Sequence, residues 1–142
     1  MFPKSHLIMF FGMFVISFLT MPFVMINSPS DWRPSVNQAY AAIFMGATMV
    51  ILEAFMHPMP KYAWFITISI IIASIYAIRN QIGVSSREYL HDMIPHHSMA
   101  VLTSKAQIKN RENMQIANLA ETIYNNQKDE IRYMKKILGT WA

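Results

Sequence analysis

Nine consecutive residues, His91-Asp-Met-Ile-Pro-His-His-Ser-Met99, hold three of the chain's five histidines and two of its 13 methionines. Imidazole nitrogen suits copper, zinc, nickel and iron, and thioether sulfur shifts the preference towards soft Cu(I). The chain has no cysteine, so a Cu(I) site would have to draw on this set. If Pro95 sits in the first turn of a helix, His96 and His97 project about 100° apart. If the helix instead continues through Pro95, Met93 and His97 lie one turn apart on one face. Under either reading His97 shares a face with Val101 and Ser104, whereas His96 goes with Met99 and Ala100. Further on, Gln127, Glu130 and Met134 are spaced three and four apart, so an antiparallel hairpin would gather His, Met and carboxylate around one point. Spacing by itself leaves open a plainer reading, in which the histidines are polar helix-start residues and the methionines are packing filler.

A second constellation lies in apolar sequence. Met45, Met49, Glu53 and His57 each stand four residues apart, and Met9, Met13, Met21 and Met25 follow a similar ladder. An ionisable residue within a membrane span is a functional candidate by default. Two readings compete. One is a methionine-rich packing seam with Glu53 hydrogen-bonded to a neighbouring helix. The other is a thioether path carrying copper to or from His57, Met56 and Met59.

The elements that must position these residues follow from composition. Hydrophobic residues make up 54% of the chain and charged residues 14%, against about 25% charged in ordinary soluble domains. Only Asp31, Arg33, Glu53 and Lys61 are charged between residues 7 and 78. Three apolar stretches, 7–26, 37–56 and 62–78, are long enough to cross a bilayer, which takes about 20 helical residues. The first is too long for the apolar core of a signal peptide and lacks a small-residue cleavage site after it. Turn formers separate the stretches, at 27–34 and 57–61, and Trp32, Tyr40, Tyr62 and Trp64 fall where an interfacial aromatic belt would place them.

From Arg79 onward the chain turns polar and helix-friendly. Two helices are expected, 85–108 with a bend at Pro95, and 111–138 with Gly139 as its stop. Met114, Ala117, Tyr124, Gln127, Ile131, Met134 and Leu138 recur at three- and four-residue steps, which predicts one packing face. Lys105, Lys109, Arg111, Lys128, Arg132, Lys135 and Lys136 are expected on a solvated face, and His6 at the membrane interface. The fold class is therefore all-α: a three-helix transmembrane region (1–80) followed by a two-helix half-bundle hairpin (81–142). So small a hairpin must dock on the membrane helices or on a second copy, so at least a dimer is expected. Three arginines (Arg33, Arg79, Arg87) against two lysines (Lys4, Lys61) lean towards a cytoplasmic hairpin. A net charge of +4 without a basic block and interleaved aromatics excludes nucleic acid as a partner.

The run Met93-Ile-Pro-His-His97, followed by Gln127-Lys-Asp-Glu130-Ile and Met134, resembles the CopM-like family (domain of unknown function 305) over about residues 85–138. The resemblance implies a helical bundle of ferritin-like architecture linked to copper binding and copper tolerance. It also implies Met93, His96, His97, Glu130 and Met134 as the ligand set; beside it, the residues themselves offer Gln127 as a supporting group, and His91 and Tyr89 as either supporting or helix-entry residues. Many members carry two helical pairs in a soluble secreted protein, whereas this chain has a single pair behind three apolar stretches.

The resulting expectation is a non-enzymatic protein of a bacterial cytoplasmic (inner) membrane that binds copper, as Cu(I), for tolerance, storage or delivery. Zinc and iron remain alternatives for the metal. Two other functions compete: a structural, oligomer-forming membrane protein, and a metal-dependent redox enzyme. Di-iron enzymes of the ferritin-like class use several carboxylates with paired Glu-x-x-His motifs; no such motif is expected here and acids near the histidine cluster are few, which argues against di-iron catalysis.

Overall fold

The computed structural model describes residues 3–140. The described residues form helices and turns with no strand. They divide into two compact units: the chain up to Met21 with Val36–Val84, and Pro22–Ser35 with the chain from Ser85 onward.

The first unit holds α1 (Lys4–Val15), a π-helical turn (Ile16–Thr20), α3 (Val36–Met56) and α4 (Lys61–Arg79); the short α2 (Met21–Met25) follows the π turn, and from Pro22 on it falls in the second unit. Helices Lys4–Met25, Val36–Met56 and Lys61–Arg79, of 22, 21 and 19 residues, are long and apolar enough to cross a membrane. At 1.5 Å per residue each reaches about 30 Å, the thickness of a bilayer's hydrocarbon core. α3 is central, with α1 and α4 packed on it. Gly46 sets the approach of α1, because a Cβ there would stand 2.9 Å from the Phe10 carbonyl oxygen. Gly46→Ala is therefore expected to push α1 outward and cost about 1–3 kcal/mol, visible as a lower unfolding midpoint in detergent micelles. The same substitution at Gly12, where an added Cβ meets nothing within 4 Å, should not lower it.

The π turn carries one residue more than an α-turn. It leaves the Phe18 carbonyl open to the Gln38 side-chain amide of α3. It also breaks the methionine ladder: Met9 and Met13 are half-buried, whereas Met21 and Met25 are exposed. His6, near the start of α1, is fully buried. Its ring Nδ1 lies 3.2 Å from Ser5 Oγ. At the far end of this unit a turn closes back on α3, where Tyr40 Oη donates to the Ile82 carbonyl at 3.1 Å. Gln81 and Gly83 take positive φ there, +51° and +70°.

The second unit is built on α5 (Ser86–Asn110) and α6 (Met114–Thr140). Ser85 caps α5 by accepting from the Glu88 N–H at 3.3 Å. The Ser-x-x-Glu spacing is that of a capping box. Pro95 is accommodated within the helix. Arg111 ends α5 in the left-handed region, φ +50°, and Asn113 Oδ1 accepts from the Gln115 and Ile116 N–H groups to start α6. Gly139 is not the stop expected of it, since α6 continues to Thr140. A single glycine lowers helix propensity by only about 1 kcal/mol against alanine.

Leu90, Ile94 and Val101 of α5 pack on Ile131 and Met134 of α6, with Met93, Tyr124, Ile137 and Leu138 around them. The predicted packing face of α6 holds except at its start, where Met114 is 58% exposed. Pro22–Ser35 joins this unit through a short 3-10 turn, Pro29–Asp31. Lys135, expected on the solvated face, instead pairs with the buried Asp31 at 2.5 Å.

Candidate metal centre

The antiparallel hairpin brings the Pro-His-His turn of α5 against Glu130 of α6. His97 Nε2 lies 2.8 Å from Glu130 Oε2, and its Nδ1 lies 2.8 Å from the Met93 carbonyl oxygen one turn back. Both partners only accept hydrogen bonds. The two contacts fix the orientation of the ring, one nitrogen towards the α5 backbone and the other towards the α6 carboxylate. Gln127 Nε2 donates to the same Glu130 oxygen at 3.3 Å. The His97 side chain is 18% exposed and that of Glu130 54%, so one partner is held and the other has room to move. An ion pair this exposed adds about 0–1 kcal/mol to stability.

Met93 is half-buried one turn before His97, and Met134 is buried one turn after Glu130. Both methionines belong to the apolar cluster between the helices. The facing turns thus carry one imidazole, one carboxylate and two thioethers. His96 does not join them: it is exposed, with its ring centroid 6.1 Å from that of His97. Gln127 supports Glu130 as expected, whereas His91 turns its Nδ1 to the Pro34 carbonyl at 3.3 Å. Glu88 and His91 form a Glu-x-x-His pair that the sequence reading passed over. Among the described residues no three His, Asp or Glu side chains gather around one point.

In the first unit Glu53 is buried and bonds across one helical turn to the exposed His57, Oε1 to Nδ1 at 3.0 Å. Its partner is thus on its own helix, not on a neighbouring one. Met49 is half-buried one turn before Glu53, Met56 is exposed, and Met59 packs with Val50, Ala54 and Ala63. A cleft of about 230 Å³ between α1, α3 and α4 is lined by Leu7, Phe11, Ala47, Ile66 and Ile70 among others. Its lining is apolar except for Thr67.

The residues that sequence reasoning missed are Asp31, Ser35, Asp92, Ser98 and Lys135. Ser98 Oγ donates to Asp31 Oδ2 at 2.6 Å, and Ser35 Oγ donates to Asp92 Oδ1 at 2.8 Å. The available signal was the rarity of charge near the apolar stretches, which marked Asp31 as a residue needing a partner.

The hairpin sets the Pro95-His-His97 turn of α5 against the α6 turns that carry Gln127, Glu130 and Met134. Residues 78–142 match the family model described as "Domain of unknown function (DUF305)", and the chain belongs to this family. It is also similar to "Uncharacterized protein L153" of Acanthamoeba polyphaga mimivirus, with 35% identity over 136 residues, 93% of this chain and 90% of that protein. No solved structure matches the chain.

Proposed function

We propose that this chain is a membrane-anchored, CopM-like metal-binding protein that holds copper as Cu(I) for tolerance, storage or delivery. The observation that carries the reading is His97, set between two acceptors, with Met93 and Met134 on the adjoining turns. A soft cation at Nε2 would take the place of one ring hydrogen and meet the Glu130 charge. The imidazole, thioethers and carboxylate would be its ligands, and exchange among them would let it pass on. One chain supplies few donors, so the assembly is at least a dimer, in which the exposed His96 is available to a second copy.

The three long apolar helices support anchoring in a lipid bilayer. Three crossings would put the 57–60 loop on one side and residues 26–35 with the hairpin on the other. A similar protein in a virus gives no reason to restrict the membrane to a bacterial one. Elemental analysis of protein purified from copper-replete cells tests the reading. Copper is expected in the wild type and not in His96→Ala/His97→Ala. Zinc or iron in its place would overturn the metal assignment, and no metal in the wild type would leave a structural hairpin.

The buried Glu53 carboxylate, holding His57 by Nδ1, favours an additional role for the α3 stripe as a route for the ion. A metal-binding histidine is commonly oriented in this way by a carboxylate. Under this reading, Glu53→Gln or Met49→Leu reduces copper per chain and cellular copper tolerance while the hairpin stays intact. Unchanged stoichiometry and tolerance would sink the route.

A further inference from the structure

We propose that residues 26–35, the connection between the first two apolar helices, form a strap that positions the His97–Glu130 pair, with Asp31 as its principal positioning residue. This rests on the metal-binding reading above.

Asp31 is only 5% exposed, and its carboxylate joins both hairpin helices. Oδ2 accepts from Ser98 of α5 at 2.6 Å and Oδ1 from Lys135 Nζ of α6 at 2.5 Å. Ser98 Oγ in turn accepts from the Asn27 N–H at 2.9 Å. Ser30 Oγ lies 3.3 Å from Lys135 Nζ. Further along the strap, Ser35 bonds Asp92 at 2.8 Å and the Pro34 carbonyl meets the His91 ring at 3.3 Å.

The grip points have a pattern. On α5 they are His91, Asp92 and Ser98, which bracket the turn from Met93 to His97. On α6 the grip point is Lys135, the residue after Met134. Ser98 projects about 100° from His97 around the helix, so the strap holds the flank and leaves the face turned to Glu130 clear. Sliding either helix by one residue, about 1.5 Å, would break the short bond on that side. One carboxylate therefore fixes the register in which His97 meets Glu130. None of the strap lies within the segment that the family model matches, 78–142, so the hairpin of this chain is held from outside the matched region.

The test uses the full chain in detergent micelles, with Ag(I) as a redox-inert stand-in for Cu(I). Two quantities are read at a temperature where circular dichroism shows each variant folded: Ag(I) affinity against a competing chelator, and the ring-nitrogen NMR signals of His97. Asp31→Ala is expected to weaken Ag(I) binding about tenfold or more, the usual effect of removing a residue that orients a ligand, and to shift the His97 signals. Asp31→Asn, which keeps the shape and the acceptor for Ser98, should fall between. If Asp31→Ala does not fold, Ser98→Ala, which removes one grip point, takes its place with the same expectations. Unchanged affinity and unchanged His97 signals in folded variants would reduce the strap to a structural brace and overturn the proposal. If the wild type itself fails to bind Ag(I), the metal reading fails, and the His97 signals still decide whether Asp31 positions the pair.

Discussion

His97→Ala is expected to reduce soft-metal affinity by a hundredfold or more, and His96→Ala, where the histidine can reach the ion only through a second copy, by clearly less. Residues that merely orient a ligand are worth about 10–100-fold in affinity, and a direct ligand should exceed that. The two neighbouring histidines differ because helix geometry turns one inward against Glu130 at 2.8 Å and the other into solvent. Glu130→Gln keeps an oxygen in place and removes its charge, so it should cost about tenfold. Its effect on unfolding should stay within about 1 kcal/mol, because the carboxylate is half exposed. Titration with Ag(I) or Cu(I) under a competing chelator gives the ranking. Equal losses at His96 and His97 would show that the inward turn of His97 is not what binds.

The second large effect is on stability. Lys135→Met leaves the Asp31 carboxylate in its buried position with Ser98 as remaining partner. Removing one partner of a fully buried ion pair costs about 3–5 kcal/mol. The Lys135 side chain is 31% exposed, so solvent screens part of that, and about 2 kcal/mol is expected here. Asp31→Leu combined with Lys135→Met should cost less than the two single changes added together, because the double variant buries no unpaired charge. Lys136→Met, one position along on the exposed surface, should stay within about 0.5 kcal/mol. Thermal or denaturant unfolding in micelles of the wild type, the two single variants, the double variant and Lys136→Met measures each term. A neutral Lys135→Met would mean that the Asp31 carboxylate is solvated in solution.

The legible parts of this molecule were those in which one element carries its own signal. A helix of about 20 residues facing hydrocarbon needs apolar side chains throughout, so the three stretches could be read from composition before any contact was known. The α6 face was legible for the same reason, since Ala117, Ile131 and Met134 recur with the helical period. The pairing of the His97 turn with the Glu130 turn needed only the assumption of an antiparallel hairpin. Asp31 and Lys135 were not legible, because 104 positions separate them and nothing local distinguishes Lys135 from Lys136. The π turn at Ile16–Thr20 escaped as well: it depends on the Phe18 carbonyl finding Gln38 across a helix interface. Burial of His6 likewise follows from the packing of α1 and not from the residues around it.

The Asp31 bridge also sets an order of events during biosynthesis. Ser98 is made 67 residues after Asp31 and Lys135 104 residues after it. At about 5–20 residues per second, the carboxylate waits roughly 5–20 s for its last partner. During that interval the connection has left the ribosome while the helices that hold it are still incomplete. Completion of α6 near the end of translation is thus the event that closes the second unit.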